Sequence, residues 1–159
     1  MHINVIYKLL TLLIMLCLSA CNAENIIPAQ EPTLVDITET ERNANQAYQE
    51  EDWATAEREY AKLTGMAPTN SEPWFRLGNV FVRLNRPNDA LQAYREALIR
   101  DSKNAKTWHN LGIVQLKQAT NTFLEMQNHL LPEDPLYKRA EQVVNSITKL
   151  LGQDFVKTQ

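Results

Sequence analysis

The chain has 159 residues, room for about one domain, with two cysteines and a formal net charge of −3. That mild acidity leaves no footprint for nucleic acid, which calls for a basic patch. Four glycines, none placed as G-x-x-x-x-G-K-[ST], exclude a phosphate-cradling loop.

The first twenty residues read as a signal peptide outside the fold. His2 and Lys8 sit in a short polar start, and Leu9 to Leu18 is apolar except for Thr11. A charged start, an apolar run of roughly ten residues and small residues at its end make a secretory signal. The run is short of the about 20 apolar residues that span a bilayer. The competing reading is a plain apolar N-terminal anchor. Leu18-Ser19-Ala20-Cys21 resembles the lipobox of bacterial lipoproteins. The resemblance implies cleavage before Cys21 and lipidation of its thiol, with an acyl chain, palmitate among the candidates, on the new amino terminus. Several acyl chains make a firm anchor, since each buried CH₂ contributes about 0.8 kcal/mol. Asn22, where an Asp would favour inner-membrane retention, leans toward the periplasmic face of the outer membrane. Lys8 is the only charged residue removed, so the net charge moves from −3 to −4. With Cys17 cleaved off and Cys21 acylated, no disulfide is available and stability must come from packing.

Residues 21–36 read as a flexible tether with two prolines, no glycine and no helical stripe. A span on the order of 20 Å would hold a domain clear of headgroups. A peptide awaiting a partner is the other reading.

Repeats begin near Ile37. Helix A of the first is expected over roughly Thr38 to Glu50, with Ala44 as its small packing residue. Asp52 or Trp53 opens helix B, where Ala56 and Tyr60 stand one turn apart on one face. Gly65 can close that helix in a left-handed conformation or serve as ordinary turn chemistry, with Pro68 beyond it in either reading. The second repeat is the best formed. Ser71 caps it, Pro73 enters its first turn, and Trp74, Leu77, Gly78 and Phe81 follow at helical spacing. After Asn85-Arg86-Pro87-Asn88, Ala90, Tyr94 and Ala97 make its helix B. Trp74, Leu77, Gly78 and Val80 recur 34 residues later as Trp108, Leu111, Gly112 and Val114. A fixed period of this length is the signature of stacked repeats.

These residues resemble the tetratricopeptide repeat (TPR) pattern W-x₂-L-G-x₂-Y…A-x₃-F…P, with Phe81 for Tyr, Tyr94 for Phe and Ser102 for the closing Pro. The resemblance covers residues 37–118, as 37–70, 71–104 and a partial 105–118. The expected fold is therefore all-α: a short TPR helical solenoid of antiparallel helix pairs with a C-terminal capping helix.

The third repeat starts well and diverges, since the Ala and aromatic columns of its helix B fall on Leu124 and Asn128. One long helix over 105–131 is favoured over a degenerate pair broken near Thr120-Asn121. Residues 119–152 form a non-repeat helical end. Pro132 to Pro135 stop and restart the chain, with Asp134 as cap. Leu136, Ala140, Val143, Val144, Ile147, Leu150 and Leu151 form a stripe at helical period. A capping helix is the favoured reading of that stripe and a docking helix the other. Gly152 is expected to end it, leaving 153–159 frayed.

No catalytic constellation stands out. His109 and His129 share no motif, which leaves zinc without a site; no metal or cofactor is expected and the chain reads as non-enzymatic. The carboxylates from Glu39 to Glu59 read as solvated surface. In the TPR family the inner helices line a concave groove for an extended peptide or partner helix. The resemblance puts Glu41, Asn45 and Tyr48, then Glu72, Phe75, Asn79 and Arg83, then Lys106, His109, Ile113 and Lys117 in groove columns. Asn45 and Asn79 suit a peptide backbone, and Tyr48 and Phe75 offer rigid contact area. Lys106 matches one residue of the family's carboxylate clamp. Glu41 and Phe75 occupy columns where that clamp needs basic or polar groups, so its specificity is not carried over. Ala44, Ala56, Tyr60, Trp74, Leu77, Gly78, Ala90, Tyr94, Trp108, Leu111 and Gly112 are expected to pack repeats together. The function expected is a lipid-anchored adaptor in a bacterial envelope, as in pilus or secretion assembly. The alternative is a recruiting subunit for a cell-wall enzyme. A protein partner is expected, and self-association through a solenoid edge is left open.

Overall fold

The computed structural model describes residues 31–157, with side chains described through Gly152. The expected signal peptide, Cys21 and the expected tether through Gln30 lie outside the described residues. From Pro32 onward the chain is one compact unit. Its six described helices are α1 (Leu34–Gln49), α2 (Trp53–Met66), α3 (Glu72–Arg83), α4 (Pro87–Arg100), α5 (Ala105–Asn128) and α6 (Pro135–Lys157). Each packs on the next, with short turns that force antiparallel neighbours.

Helix α1 begins at Leu34, four residues before the expected Thr38, and takes up the end of the expected tether. A capping box sets this start. Thr33 Oγ1 accepts from the Asp36 amide at 3.2 Å, and Asp36 Oδ2 accepts from the Thr33 amide at 2.9 Å. The Thr33 hydroxyl also donates to Asp36 Oδ2 at 2.6 Å, and this bond first, then that of the Thr33 amide, holds the Asp36 carboxyl below its usual range. Asp52 caps α2 in the same way, its Oδ1 accepting from the Thr55 amide at 3.1 Å. Ser71 precedes α3 but makes no side-chain cap bond; Asn70 Oδ1 accepts from the Glu72 amide at 3.0 Å instead. Glu51 and Asn85, 34 residues apart, both turn the chain at positive φ, 58° and 55°. Gly65 does not close α2. No described glycine has positive φ, and helical bonding runs on to Ala67, whose amide reaches the Leu63 carbonyl at 2.9 Å. Pro68, lacking an amide hydrogen, ends it there.

Two apolar clusters run through the stack. One joins Ala44, Ala47, Ala56, Tyr60, Leu63, Leu77 and Val80. The other joins Ala90, Leu91, Tyr94, Leu98, Leu111 and Val114. Phe81 packs against both, which makes the repeats one core. Gly78 permits the closest approach: a Cβ there would lie 2.4 Å from Tyr94 Cε1.

The third repeat departs from the expected packing. Helix α5 is one uninterrupted helix of 24 residues, about 36 Å long. The chain therefore does not fold back where a repeat would. Asn128, in Tyr94's column, lies at the far end of α5, so no ring returns to Gly112 and nothing lies within 4 Å of a Cβ placed there. Trp108 is 54% exposed and is not a packing residue of the kind expected. Its indole Nε1 donates to the Ser102 carbonyl at 2.9 Å. In the second repeat Arg100 changes this arrangement. Its guanidinium lies 4.8 Å from the Trp74 ring, and its Nε takes the corresponding carbonyl, that of Pro68, at 2.6 Å. Trp74 is half-buried, with its Nε1 unpartnered among the described residues. The column that would cover Trp108 holds Asp134.

Helix α6 starts as expected, with Asp134 Oδ1 accepting from the Leu136 amide at 2.8 Å. It continues past Gly152 to Lys157, so Gly152 is not its end and 153–157 are helical. A mid-helix glycine costs only about 1 kcal/mol relative to alanine and does not oblige a stop. Ala140 and Ile147 are buried, while Leu136 and Leu150 at the ends of the stripe are exposed. Gln118 Nε2 reaches Asn88 Oδ1 at 2.8 Å beside the α3–α4 turn. Helix α5 then runs on for ten residues, so the α5–α6 hairpin projects about 15 Å beyond that turn.

Candidate functional site

The inner helices α1, α3 and α5 carry the expected groove residues. Two of them make the same bond one repeat apart. Tyr60 Oη donates to Asn45 Oδ1 at 2.7 Å, and Tyr94 Oη donates to Asn79 Oδ1 at 2.8 Å. Asn79 Oδ1 also accepts from Asn110 Nδ2 at 2.8 Å, which links α3 to α5. Burial pushes the Tyr60 phenol up to about 12 and raises that of Tyr94 as well. Both phenols therefore remain donors at neutral pH and hold each carboxamide with its oxygen inward. The Nδ2 of Asn45 and of Asn79 makes no hydrogen bond among the described residues and is free to meet a backbone carbonyl. The asparagines act partly as structure, which the sequence did not disclose, and offer a donor face only.

The aromatic candidates are also partly engaged. Tyr48 is half-buried, edge-on to Trp53 at 5.3 Å and to Tyr60 at 6.3 Å. Phe75 is half-buried, tilted on Tyr94 at 6.2 Å. Arg83 is exposed and drawn toward the Trp53 ring at 5.7 Å, which sets it at the margin by the α1–α2 turn. Lys106 and His109 stand exposed on the first turns of α5. The structure thus gathers two groups. Asn45 and Tyr48 meet α3 through Arg76, whose guanidinium lies 5.9 Å from the Tyr48 ring. Phe75 and Asn79 meet α5 through Asn110. Lys106, His109 and Arg83 make no contact with either group among the bonds and ring contacts described.

Arg76 and Asn110 are the site residues that sequence reasoning missed. Arg76 had a local signal, the i,i+4 pair with Glu72, whose Oε1 accepts from Arg76 Nε at 2.7 Å. Asn110 had none, because its partner lies 31 residues away. Among the described residues no three His, Cys, Asp or Glu side chains gather as metal ligands. None of the described helices is long and apolar enough to cross a membrane.

Residues 78–118 match the family model described as TPR repeat. The fold is a short TPR solenoid. Over 69% of its length the chain resembles the Arabidopsis OM64 TPR domain, covering 94% of that chain at TM-score 0.50 and 22% identity. It covers 85% of the Sgt2 TPR domain from Aspergillus fumigatus over 79% of its own length, at TM-score 0.51 and 16% identity. Among curated proteins it is 31% identical over 87 residues to human protein O-mannosyl-transferase TMTC3, and 32% over 62 residues to the mouse protein of that name. The first match covers 54% of this chain and 10% of the human protein, the second 39% and 7% of the mouse protein. The chain thus spans a tenth or less of the length of these relatives.

Proposed function

We propose that the chain is a non-enzymatic TPR adaptor, anchored through lipid on Cys21, that holds an extended segment of a protein partner along the inner face of α1, α3 and α5. The observation that carries this reading is the Tyr–Asn bond repeated in register, which presents two amide donors one repeat apart beside Tyr48 and Phe75. An extended peptide offers carbonyls that need donors once dehydrated, and rigid aromatic surface costs little entropy to bury against. The lipobox-like Leu18-Ser19-Ala20-Cys21 supports a place in a bacterial envelope, and Asn22 favours the outer membrane over the inner. Pilus or secretion assembly is the setting we favour, with recruitment of a cell-wall enzyme as the second reading.

The test is crosslinking in cells followed by mass spectrometry of membranes. Asn79→Asp keeps the oxygen that Tyr94 and Asn110 need and removes the outward donor. Combined with Phe75→Ala, it is expected to abolish capture of the partner while thermal unfolding shows a folded chain. Capture that survives this pair would move the site to the outer face or to α6. Pilus or secretion components among the captured proteins support the first setting, and wall hydrolases or synthases the second. Cys21→Ser is expected to release the protein from membranes; retention there would end the lipid-anchor reading.

A further inference from the structure

We propose that the small cavity between α1, the α2–α3 turn and the start of α3 seats a cationic side chain, lysine or arginine, of the segment held in the groove. The assignment rests on the peptide-binding reading above and adds to it a chemical preference. The cavity encloses about 100 Å³. Buried Leu63 and Pro73 with half-buried Ile37 give it an apolar floor, Asn45, Tyr60 and Asn70 add polar lining, and exposed Glu41 and Glu72 stand at its rim. Arg76 also lines it but is already committed: Nε to Glu72 at 2.7 Å, with its guanidinium beside the Tyr48 ring. Glu72 is therefore compensated. Glu41 is exposed and has no cationic partner among the described residues. The rim keeps one uncompensated negative charge beside an apolar floor.

The surrounding charge points the same way. Residues 34–66 carry eight carboxylates against three cations, whereas residues 67–118 carry four against eight. Glu41 lies in the net-negative stretch, whose Glu57 and Glu59 are already paired with Arg86 and with Arg58 and Lys62. Both carboxylates also contribute to the upward push on the Tyr60 phenol, though burial is the larger cause. A lysine or arginine matches both parts of the cavity, since its hydrocarbon stem can lie on the floor while its charged head stays at the wet rim. An acidic guest would face Glu41 without compensation. A purely apolar guest would fill the floor and leave the charge unmet.

The experiment is an NMR titration of the ¹⁵N-labelled full chain with three small probes. These are N-acetyl-arginine methylamide, its uncharged citrulline counterpart and N-acetyl-glutamate methylamide. The arginine probe is expected to shift amides around Glu41, Asn70 and Glu72 saturably, with citrulline weaker and glutamate inert. Glu41→Gln, an exposed change that leaves the core intact, is expected to weaken arginine by about 2–5-fold and to erase most of its advantage over citrulline. Raising salt should have the same effect. Equal binding of arginine and citrulline, shifts confined to another face, or glutamate binding through Arg76 would each overturn the assignment. If cells yield a partner lost in the Asn79→Asp, Phe75→Ala protein while the arginine probe leaves the cavity unmoved, the adaptor reading stands and this assignment falls. If the probe binds as expected and no partner is captured, the cavity's preference stands and the adaptor reading falls.

Discussion

The pair of glycines in the repeat motif shows how one column can carry opposite constraints. Gly78 faces Tyr94, a buried ring that leaves no room for a methyl, so Gly78→Ala forces a shift in the core. Such overpacking costs typically about 1–3 kcal/mol. Gly112 faces open space inside a helix, where alanine is the better former by about 1 kcal/mol. Urea denaturation should therefore give opposite signs: a lower midpoint for Gly78→Ala and an unchanged or higher one for Gly112→Ala. A lower midpoint for both would mean that something does return over Gly112. Identity alone distinguishes neither glycine, since both follow Trp-x-x-Leu. The tyrosine 16 residues after Gly78 has no counterpart after Gly112, and that absence was the sequence's only hint.

At the scale of elements, α2 is held by carboxylates at two points. Asp52 caps its start, and Glu59, with a side chain only 10% exposed, bonds Lys62 at 2.9 Å and Arg58 at 2.9 Å. The Lys62 bond is the largest cause of the lowered Glu59 pKa; burial opposes it and Arg58 adds to it. The sign follows directly. Because the folded value lies below the ordinary 4.5, the stabilisation is complete above about that pH and is lost as pH falls through the folded value. Asp36 and Asp52 are lowered first by side-chain hydrogen bonds with Thr33 and Thr55 and then by the amides of the same residues, and act in the same direction. Amide exchange in α2 is expected to quicken as pH drops below 4.5, beyond the intrinsic pH dependence, and Glu59→Gln should flatten that response. A response unaltered in Glu59→Gln would assign it to the caps alone. The α1 start belongs at this scale too. Thr33 with Asp36 three residues on was a readable capping box. Pro28 and Pro32 just before it mask that signal, because they make the stretch look like a tether running to the first repeat column.

For the whole molecule, few repeats mean that each interface matters, because a solenoid's stability is close to a sum over neighbours. Helix α6 closes the stack by burying Ala140 and Ile147 against α5, its principal packing partner. Ile147→Ala is expected to cost about 2–4 kcal/mol and to loosen α5 along with α6. Amide exchange should show protection lost in both helices while α1 and α2 keep theirs. Uniform loss would mean that the stack unfolds as a single unit. The α5–α6 hairpin also leaves Leu124, Leu131 and Leu136 exposed, so the non-repeat end is unlike the polar cap that solubility alone would call for.

What the sequence determined by itself was periodic: the 34-residue columns, the helix pairs they imply, the first two repeats and the restart at Pro135. These rest on interactions within a turn or between adjacent helices, so one string of residues contains both partners at a known spacing. What only the tertiary structure decided was where the period fails. With α5 running straight, the residues that would cover Trp108 and crowd Gly112 are carried away, and a shared motif acquires a different environment. The groove was legible as a set of columns but not as a chemistry. Asn45 and Asn79 had their oxygens claimed by buried tyrosines, and Arg76 neutralised one of two carboxylates over an apolar floor. Those pairings are made across helices, where distance along the chain says nothing about distance in space.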